Sequence, residues 1–193
     1  MGLKVVGIIS SPRKGKTTDT LVTKVLEGAL SVGAETKKIY LNDLAIKPCQ
    51  ACDKHPAPDF CIYKNGMEEV YLALKSADVI VVGTPAYYDS ISAQLKLVVD
   101  RSNCLTEMTR LPDGKVMFQS RLKKRKKGVF IWVADFSRNP EHALGTIRLW
   151  FKDANIELVD TLIVTNSDKR EARNREDLLQ KAFQLGVSLG RLL

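Results

Sequence analysis

Three short, largely apolar runs rich in valine and isoleucine recur along this chain, with longer helix-like segments between them. The runs are Leu3–Ile9, Asp78–Thr84 and Gly128–Ala134. Runs of this length and composition predict strands that are buried on both faces of a sheet. Because strands that alternate with helices join through right-handed crossovers, we expect a parallel sheet with helices on both of its faces.

The rest of the chain continues this alternation. Weaker strand patterns and helical patterns fill most of it, with strands at 35–41 and 156–164 and helices at 21–29, 68–76, 92–101, 140–154 and 175–192. Five such strands predict an α/β fold of the flavodoxin-like type, a three-layer, doubly wound, five-stranded parallel sheet in the order 2-1-3-4-5. We expect residues 1–193 to form a single domain, with a cysteine-containing loop at 47–67 and a basic insertion at 104–127.

The composition is that of an ordinary globular protein, with 45% apolar and 27% charged residues. No apolar stretch approaches the length of a membrane span, and the N-terminal sequence lacks a small-residue cleavage site. We therefore expect a cytoplasmic protein that has no membrane partner.

Much of the net charge of +8 comes from the basic run Arg121–Lys127. Such a run is typical of a solvated loop, although it also occurs on surfaces that bind nucleic acid. No zinc-finger spacing or aromatic RNA-binding signature accompanies the run. We therefore favour a solvated loop over a nucleic-acid patch.

The loop after the first predicted strand is rich in groups that bind phosphate. It places hydroxyl and basic side chains before and at the start of a helix: Ser10, Ser11, Arg13, Lys16, Thr17 and Thr18. The amides and the dipole of a helix start favour an anion, and the arginine adds a bidentate donor. The spacing is neither G-x-x-x-x-G-K-[ST] nor G-x-G-x-x-G, which disfavours a classical dinucleotide site. The alternative is a solvated helix start that Thr17 or Thr18 caps.

The loop after the third strand predicts a surface for a flat aromatic ligand. It contains Pro85, Ala86, Tyr87, Tyr88, Asp89 and Ser90. Tyrosines beside backbone amides suit a ring that needs an apolar face and hydrogen bonds at its polar edge. The alternative is an ordinary loop whose tyrosines pack between helices. The segment after the fourth strand adds Ala134 and Asp135 to the predicted site, and Phe136 follows them in the same loop.

Several segments resemble motifs of the NADPH-dependent FMN reductase family. Ser11–Gly15 is similar to the family's S-P-R-x-G phosphate loop, and Thr84–Tyr88, Ser92–Lys96 and Asp100-Arg101 are similar to its T-P-x-Y, S-A-x-L-K and D-R motifs. The resemblance implies a flavodoxin-like fold, bound FMN, NAD(P)H as the electron donor, and a homodimer or homotetramer.

The resemblance also implies roles for single residues. It implies contacts with the FMN phosphate for Ser11, Arg13, Thr17 and Thr18, contacts with the isoalloxazine for Pro85, Ala86, Tyr87 and Tyr88, and positions near its polar edge for Asp89 and Ser90. Lys16 and Asp89 depart from the family pattern, in which these positions are often small or, for Asp89, amide residues. A carboxylate at the pyrimidine edge would disfavour the anionic hydroquinone. We therefore expect Asp89 to lower the FMN potential and Asp89→Asn to raise it.

Three of the four cysteines lie in one segment, Cys49-x2-Cys52-x2-His55-x5-Cys61. The segment resembles the C-x2-C-x2-C-x4–7-C motif that holds a [4Fe–4S] cluster in iron–sulfur flavoproteins, with His55 in place of the third cysteine. Four thiolates are the usual ligands of such a cluster, whereas zinc accepts three thiolates and one imidazole. A loop of free thiols without metal is the third interpretation, which we favour. Cys104 is expected to be a buried thiol, and the alternative is a remote fourth ligand of the metal.

Together these features predict an FMN-binding oxidoreductase that passes electrons from NAD(P)H to a quinone, a flavin, or another small-molecule or protein acceptor. The cofactor carries the chemistry, so no catalytic side chain is assigned. A non-catalytic FMN electron-transfer protein, with or without an iron–sulfur cluster, is the alternative function.

Overall fold

A parallel sheet forms the centre of the fold. A computed structural model of the chain describes residues 2–57, 59–136, 138–167 and 172–191. The strands in these residues are β1 (Lys4–Ile9), β2 (Glu35–Tyr40), β3 (Val79–Pro85), β4 (Thr106–Arg110), β5 (Val116–Ser120), β6 (Lys126–Val133) and β7 (Ile156–Val164). Five of them form the parallel sheet in the order β2-β1-β3-β6-β7, and β4 pairs with β5 as a separate antiparallel hairpin.

The hairpin corrects the predicted strand order of 2-1-3-4-5. Residues 106–120 hold two strands within the segment that the sequence indicated as a basic insertion, so the last two strands of the sheet are β6 and β7. Almost every residue of the hairpin strands is exposed. Strands without a buried face lack the apolar alternation by which a sequence reveals them.

Helices cover both faces of the sheet. They are α1 (Thr17–Leu30), α2 (Met67–Ser76), α3 (Ala93–Arg101), α4 (Glu141–Asp153) and α5 (Glu176–Gly190). Because successive strand residues point to opposite faces, Val5 and Ile9 pack in a core with α1 and α5, whereas Val6 and Ile8 pack in a core with α2, α3 and α4. None of the helices in the described residues is both long enough and apolar enough to cross a bilayer.

The basic run at 121–127 is a solvated loop only in part, because Lys123, Lys124 and Arg125 are exposed and lie outside the strands, whereas Lys126 and Lys127 belong to β6. Lys126 begins β6 and is only 1% exposed. Its Nζ donates hydrogen bonds to the carbonyls of Lys124 and Ala154, at 2.6 and 3.2 Å. Burial lowers the pKa of Lys126 to about 8. A charged residue enters the core here because backbone carbonyls at the sheet's amino end accept hydrogen bonds from its ammonium group.

Candidate functional site

A cavity of about 420 Å³ opens at the carboxyl ends of β1, β3 and β6. The chain leaves β1 toward α1 on one face of the sheet and leaves β3 toward α3 on the other, so this edge is the switch point of the sheet. Parallel sheets bind their ligands at this position. Three loops line the cavity: Ser11, Arg13, Lys16, Thr17 and Thr18 from the first, Pro85 to Asp89 from the second, and Val133 to Phe136 with Arg138 from the third.

The start of α1 has no side-chain cap. Lys16 occupies the cap position, and its side chain makes no capping hydrogen bond. The alternative interpretation, a cap formed by Thr17 or Thr18, is therefore wrong, since both residues lie within the first turn and are largely buried. A helix start that lacks a cap and faces a cavity leaves its amides for an anion.

Local hydrogen bonds shape the loop that precedes α1. Gly15 adopts a φ of +71°, a conformation that other residues rarely take, and its N–H donates to Asp19 Oδ2 at 2.6 Å. The Arg13 N–H donates to Ser11 Oγ at 3.2 Å. These bonds hold the loop against the helix and leave the Arg13 side chain 63% exposed at the cavity.

Gly83 allows α1 to lie close to β3. A Cβ at this position would lie 2.5 Å from a methyl carbon of Val22 and 3.0 Å from that of Thr18. A larger residue would push the helix away from the strand. The close approach brings the start of α1 beside the loop after β3, so both loops line one cavity.

A tight turn presents two tyrosines at the cavity mouth. Tyr87 and Ser90 exchange backbone hydrogen bonds of 3.3 and 2.9 Å, and Tyr88 and Asp89 between them have φ of +49° and +58°. Two consecutive positive φ angles are characteristic of a type I′ turn, which usually needs asparagine or glycine. Trp132, predicted to be a packing residue, is fully buried, and its Nε1 donates to the Ser90 carbonyl at 3.2 Å. Strain of this kind concentrates at functional sites.

Charges of both signs lie around the cavity. Asp89 Oδ1 is buried without a hydrogen-bond partner among the described residues, and its ion pair with Arg138 Nε spans 3.6 Å. Asp135 accepts a hydrogen bond from the Ser167 hydroxyl at 2.7 Å and lies 4.0 Å from Arg13 Nη2. Both contacts to arginine exceed hydrogen-bond length, so a ligand can compete for either guanidinium.

Two of the predicted site residues do not line the cavity. Ser10 is fully buried, donates to the Gly83 carbonyl at 3.2 Å and accepts from Ser92 Oγ at 2.8 Å. Ser90 is the last residue of the tyrosine turn, and its backbone N–H and C=O are both hydrogen-bonded to Tyr87. The other twelve lie around the cavity, and so does Phe136, which belongs to the segment predicted to approach the ligand. Two further lining residues, Val133 and Arg138, were not predicted from the sequence. Val133 is the last residue of β6 and Arg138 lies in the loop that follows, so their position at the carboxyl end of this strand was the available signal.

The cysteine segment does not form a metal-binding group in the described residues. Nowhere in the described ranges do three or more His, Cys, Asp or Glu side chains lie as a metal would require. His55 lines a groove beside the hairpin, whereas Cys61 lines a separate cavity near Tyr71. The residues Cys49, Cys52, His55 and Cys61 therefore do not fit a cluster or zinc in this arrangement, and the two metal-bound interpretations of the segment stay hypotheses.

Arg101 holds the cysteine segment to α3. It is 3% exposed and donates to the carbonyls of Lys47 and Tyr63, each at 3.1 Å, and to the Asn65 side chain. Its Nη2 also lies 3.5 Å from Cys61 Sγ. The arginine of the D-R motif therefore supports the fold of this segment.

Cys104 is a buried thiol, as the sequence analysis expected. The Tyr71 hydroxyl donates to the Arg101 carbonyl at 2.7 Å and lies 3.2 Å from Cys104 Sγ. Burial raises the pKa of the Cys104 thiol and that of the Tyr71 hydroxyl, so both stay protonated at neutral pH.

Residues 3–130 match the NADPH-dependent FMN reductase family. The chain belongs to this family. The matched region contains the loops after β1 and β3, which supply most of the cavity lining. FMN and a nicotinamide electron donor, the cofactors predicted from the sequence motifs, are those of the NADPH-dependent FMN reductase family.

Curated relatives of this family member include iron–sulfur flavoproteins. That of Methanosarcina thermophila is 37% identical over 100 residues, which are 52% of this chain and 52% of that protein. One from Methanocaldococcus jannaschii is 37% identical over 103 residues, 53% of each protein. In these matches the chain spans about half the length of the curated relative.

Solved structures share the fold at low sequence identity. A flavone reductase superimposes with a TM-score of 0.73 at 19% identity, covering 97% of this chain and 62% of that one. An FMN-dependent NADH-azoreductase from Bacillus anthracis, solved in complex with FMN, gives a TM-score of 0.70 at 15% identity and covers 97% of both chains. These likenesses establish the flavodoxin-like fold.

Proposed function

We propose that this chain is an FMN-dependent oxidoreductase that takes electrons from NAD(P)H and delivers them to a quinone, a flavin or another acceptor. The observation that supports this most directly is the cavity at the switch point of the sheet. One end of the cavity has an uncapped helix start with basic and hydroxyl side chains, and the other has an apolar, tyrosine-bearing turn. FMN has the matching two ends, a phosphate and a flat aromatic ring.

The donors at the start of α1 fit the phosphate. The Arg13 guanidinium offers two parallel N–H donors, and the hydroxyls of Ser11, Thr17 and Thr18 lie around the same end of the cavity. The α1 dipole favours a dianion at this position. We assign these four residues to the phosphate.

The turn after β3 fits the ring. Tyr88 is fully exposed and Tyr87 is half exposed, so a bound ring would remove a large aromatic surface from water. The buried Asp89 Oδ1 has no hydrogen-bond partner among the described residues. An N–H at the polar edge of the ring would satisfy it, because buried acceptors are nearly always hydrogen-bonded.

FMN, when bound, supplies hydride and electron transfer between the nicotinamide donor and the acceptor. The residues of the chain hold and orient the cofactor. Tyr88 is fully exposed at the mouth of the cavity. The open mouth leaves room for the nicotinamide donor, and then the acceptor, to reach the bound ring. The reaction requires no general base from the protein.

Cofactor uptake and turnover test the proposal separately. We expect the purified protein to bind FMN more tightly than riboflavin, because riboflavin lacks the phosphate that Arg13 and the α1 start hold. Steady oxidation of NADH or NADPH should follow when a quinone or free flavin is present. A protein that takes up neither flavin, even from a large excess, would overturn the assignment.

The same experiment separates the enzyme from a non-catalytic carrier. A carrier would bind FMN and accept electrons from a reduced protein, yet would not oxidise NAD(P)H continuously. The open mouth of the cavity favours the enzyme, since a nicotinamide needs direct access to the ring. The proposal includes a cytoplasmic location and assembly as a homodimer or homotetramer. It names the electron acceptor and the donor, NADH or NADPH, only by class.

A further inference from the structure

Two serine hydroxyls join the two ends of the cavity inside the protein. Ser10 follows β1 and precedes the loop that begins with Ser11, whereas Ser92 follows the tyrosine turn and caps α3. Both serines are fully buried. The Ser92 hydroxyl donates to Ser10 Oγ at 2.8 Å, although 82 residues separate the two in sequence. This bond therefore connects the loop that we assign to the phosphate with the turn that we assign to the ring.

The hydrogen bonds of this pair continue in one direction. The Leu95 N–H donates to Ser92 Oγ at 3.3 Å, and the Ser10 hydroxyl donates to the Gly83 carbonyl at 3.2 Å. Each hydroxyl therefore accepts one bond and donates another, and we name this series of bonds the serine link. Successive hydrogen bonds strengthen one another in an apolar interior. The serine link thus holds the start of α3 against the carboxyl ends of β1 and β3.

The tyrosine turn, residues 87–90, is bonded to the sheet on both sides. Before the turn, the Ala86 N–H donates to the Val133 carbonyl at 2.7 Å. After the turn, the Ser92 N–H donates to the Thr84 hydroxyl at 3.0 Å. Because Ser92 also forms the serine link, its position determines how far the turn lies from the phosphate loop.

Stability alone does not explain the buried pair of serines. A hydroxyl in a core contributes little net stability, because its hydrogen bonds replace those that it makes with water. A fully bonded polar network instead selects one arrangement of the groups around it. Ser102, at the other end of α3, is 2% exposed, and its hydroxyl donates to the Val98 carbonyl of the same helix at 2.8 Å. The bond between Ser10 and Ser92, by contrast, joins two loops of one cavity.

We propose that the serine link sets the distance between the two ends of the cavity, so that Ser10 and Ser92 are positioning residues for FMN. This inference rests on the proposed function. A ligand with a phosphate and a ring gains affinity when its site holds both ends at the correct spacing, because binding of one end then places the other beside its partner groups. Free phosphate and a flavin without phosphate do not need this spacing. The serine link should therefore make the site selective for a flavin that carries its own phosphate.

The affinities for FMN and for its separate parts test this proposal. Flavin fluorescence gives the dissociation constants of FMN and riboflavin, and competition with FMN gives that of inorganic phosphate. The product of the riboflavin and phosphate constants, divided by the FMN constant, is the effective concentration of one end of FMN when the other is bound.

Ser92→Ala should lower the effective concentration at least about tenfold, while the riboflavin and phosphate affinities stay within about twofold of the wild type. Ser10→Ala keeps the α3 cap and should lower it about threefold, because the Ser10 carbonyl, 3.4 Å from Ser92 Oγ, can replace the lost acceptor. The double variant should lose at most about twofold more than Ser92→Ala, since both changes break the same link. Ser102→Ala is the matched control, because it removes a buried hydroxyl from the other end of the same helix.

Far-UV circular dichroism verifies that each variant is folded. Loss of effective concentration in the Ser10 and Ser92 variants, with both partial affinities intact, supports the proposal. A wild type that binds FMN, together with an unchanged effective concentration in Ser92→Ala, would overturn this inference alone. An equal fall in all three affinities, or an equal loss in Ser102→Ala, would also overturn it. A wild type that binds neither flavin would overturn the proposed function and this inference together.

Discussion

Arg13 and Arg101 both lie in motifs that resemble the same family, yet the structure uses them in opposite ways. The Arg13 side chain is 63% exposed at the cavity, and its ion pair with Asp135 is 4.0 Å long. Arg101 is 3% exposed, and its guanidinium donates to two backbone carbonyls and one amide. An arginine whose donors are satisfied within its own chain supports the fold, whereas one at an open cavity is available to a ligand. The motif alone does not distinguish these two roles.

The largest effect should come from the buried arginine. Arg101→Met leaves the carbonyls of Lys47 and Tyr63 without their donor, and we expect the free energy of unfolding to fall by about 3 kcal/mol. Urea denaturation followed by circular dichroism measures this change. FMN affinity, measured by flavin fluorescence on the folded protein, should change less than about twofold. A variant as stable as the wild type would show that Arg101 has no structural role.

The exposed arginine should show the reverse pattern. Arg13→Ala removes a charge-assisted donor to the phosphate, and we expect FMN affinity to fall about thirtyfold, which corresponds to about 2 kcal/mol. Riboflavin affinity should not change, because riboflavin has no phosphate, and the unfolding free energy without flavin should stay within about 0.5 kcal/mol. Equal losses for FMN and riboflavin would contradict the assignment of Arg13 to the phosphate.

Lys126 is a second buried cation, and its lowered pKa should make the stability of the protein depend on pH. Burial lowers its pKa to about 8 from an ordinary value of 10.5, so the unfolded chain binds the extra proton between these pH values. Stability should therefore rise by about 3 kcal/mol as the pH increases from about 8 to about 10.5, and the cost of the buried charge is present in full well below pH 8.

Lys126→Met should remove this rise in stability, whereas Lys123→Met, at an exposed position, should retain it. Because Tyr71 and Cys104 have raised pKa values and act in the opposite direction above about pH 9, the difference between variants is the useful quantity. Parallel stability profiles for wild type and Lys126→Met would refute a lowered pKa.

The smallest effect concerns the charges beside the predicted ring. Asp89→Asn should raise the midpoint potential of bound FMN by roughly 10 to 20 mV, because it removes a negative charge near the ring. The structure adds Arg138, which lies 3.6 Å from Asp89 and reduces the effect of the carboxylate. Arg138→Gln should therefore lower the potential. Spectroelectrochemical titration measures both changes, and shifts of the same sign would exclude a charge effect.

The sequence predicted the parts of the site that local pattern encodes. Ser11 and Arg13 follow an apolar strand, and Tyr87 and Tyr88 follow another, so their meeting at one sheet edge follows from the topology of parallel strands. Arg138 was missed because no local pattern relates it to Asp89, and Ser10 was misplaced because its hydrogen bonds to Gly83 and Ser92 join distant segments.

The sequence by itself determined the alternation of buried strands and helices, the switch point and the three loops that line the cavity, because apolar periodicity and turn chemistry are local properties. Only the tertiary structure decided that Lys126 is buried, that residues 106–120 form a hairpin and that Arg101 holds the cysteine segment. These features depend on which backbone groups lie nearby after folding. A basic run looks the same in sequence whether water or backbone carbonyls accept the hydrogen bonds of its side chains.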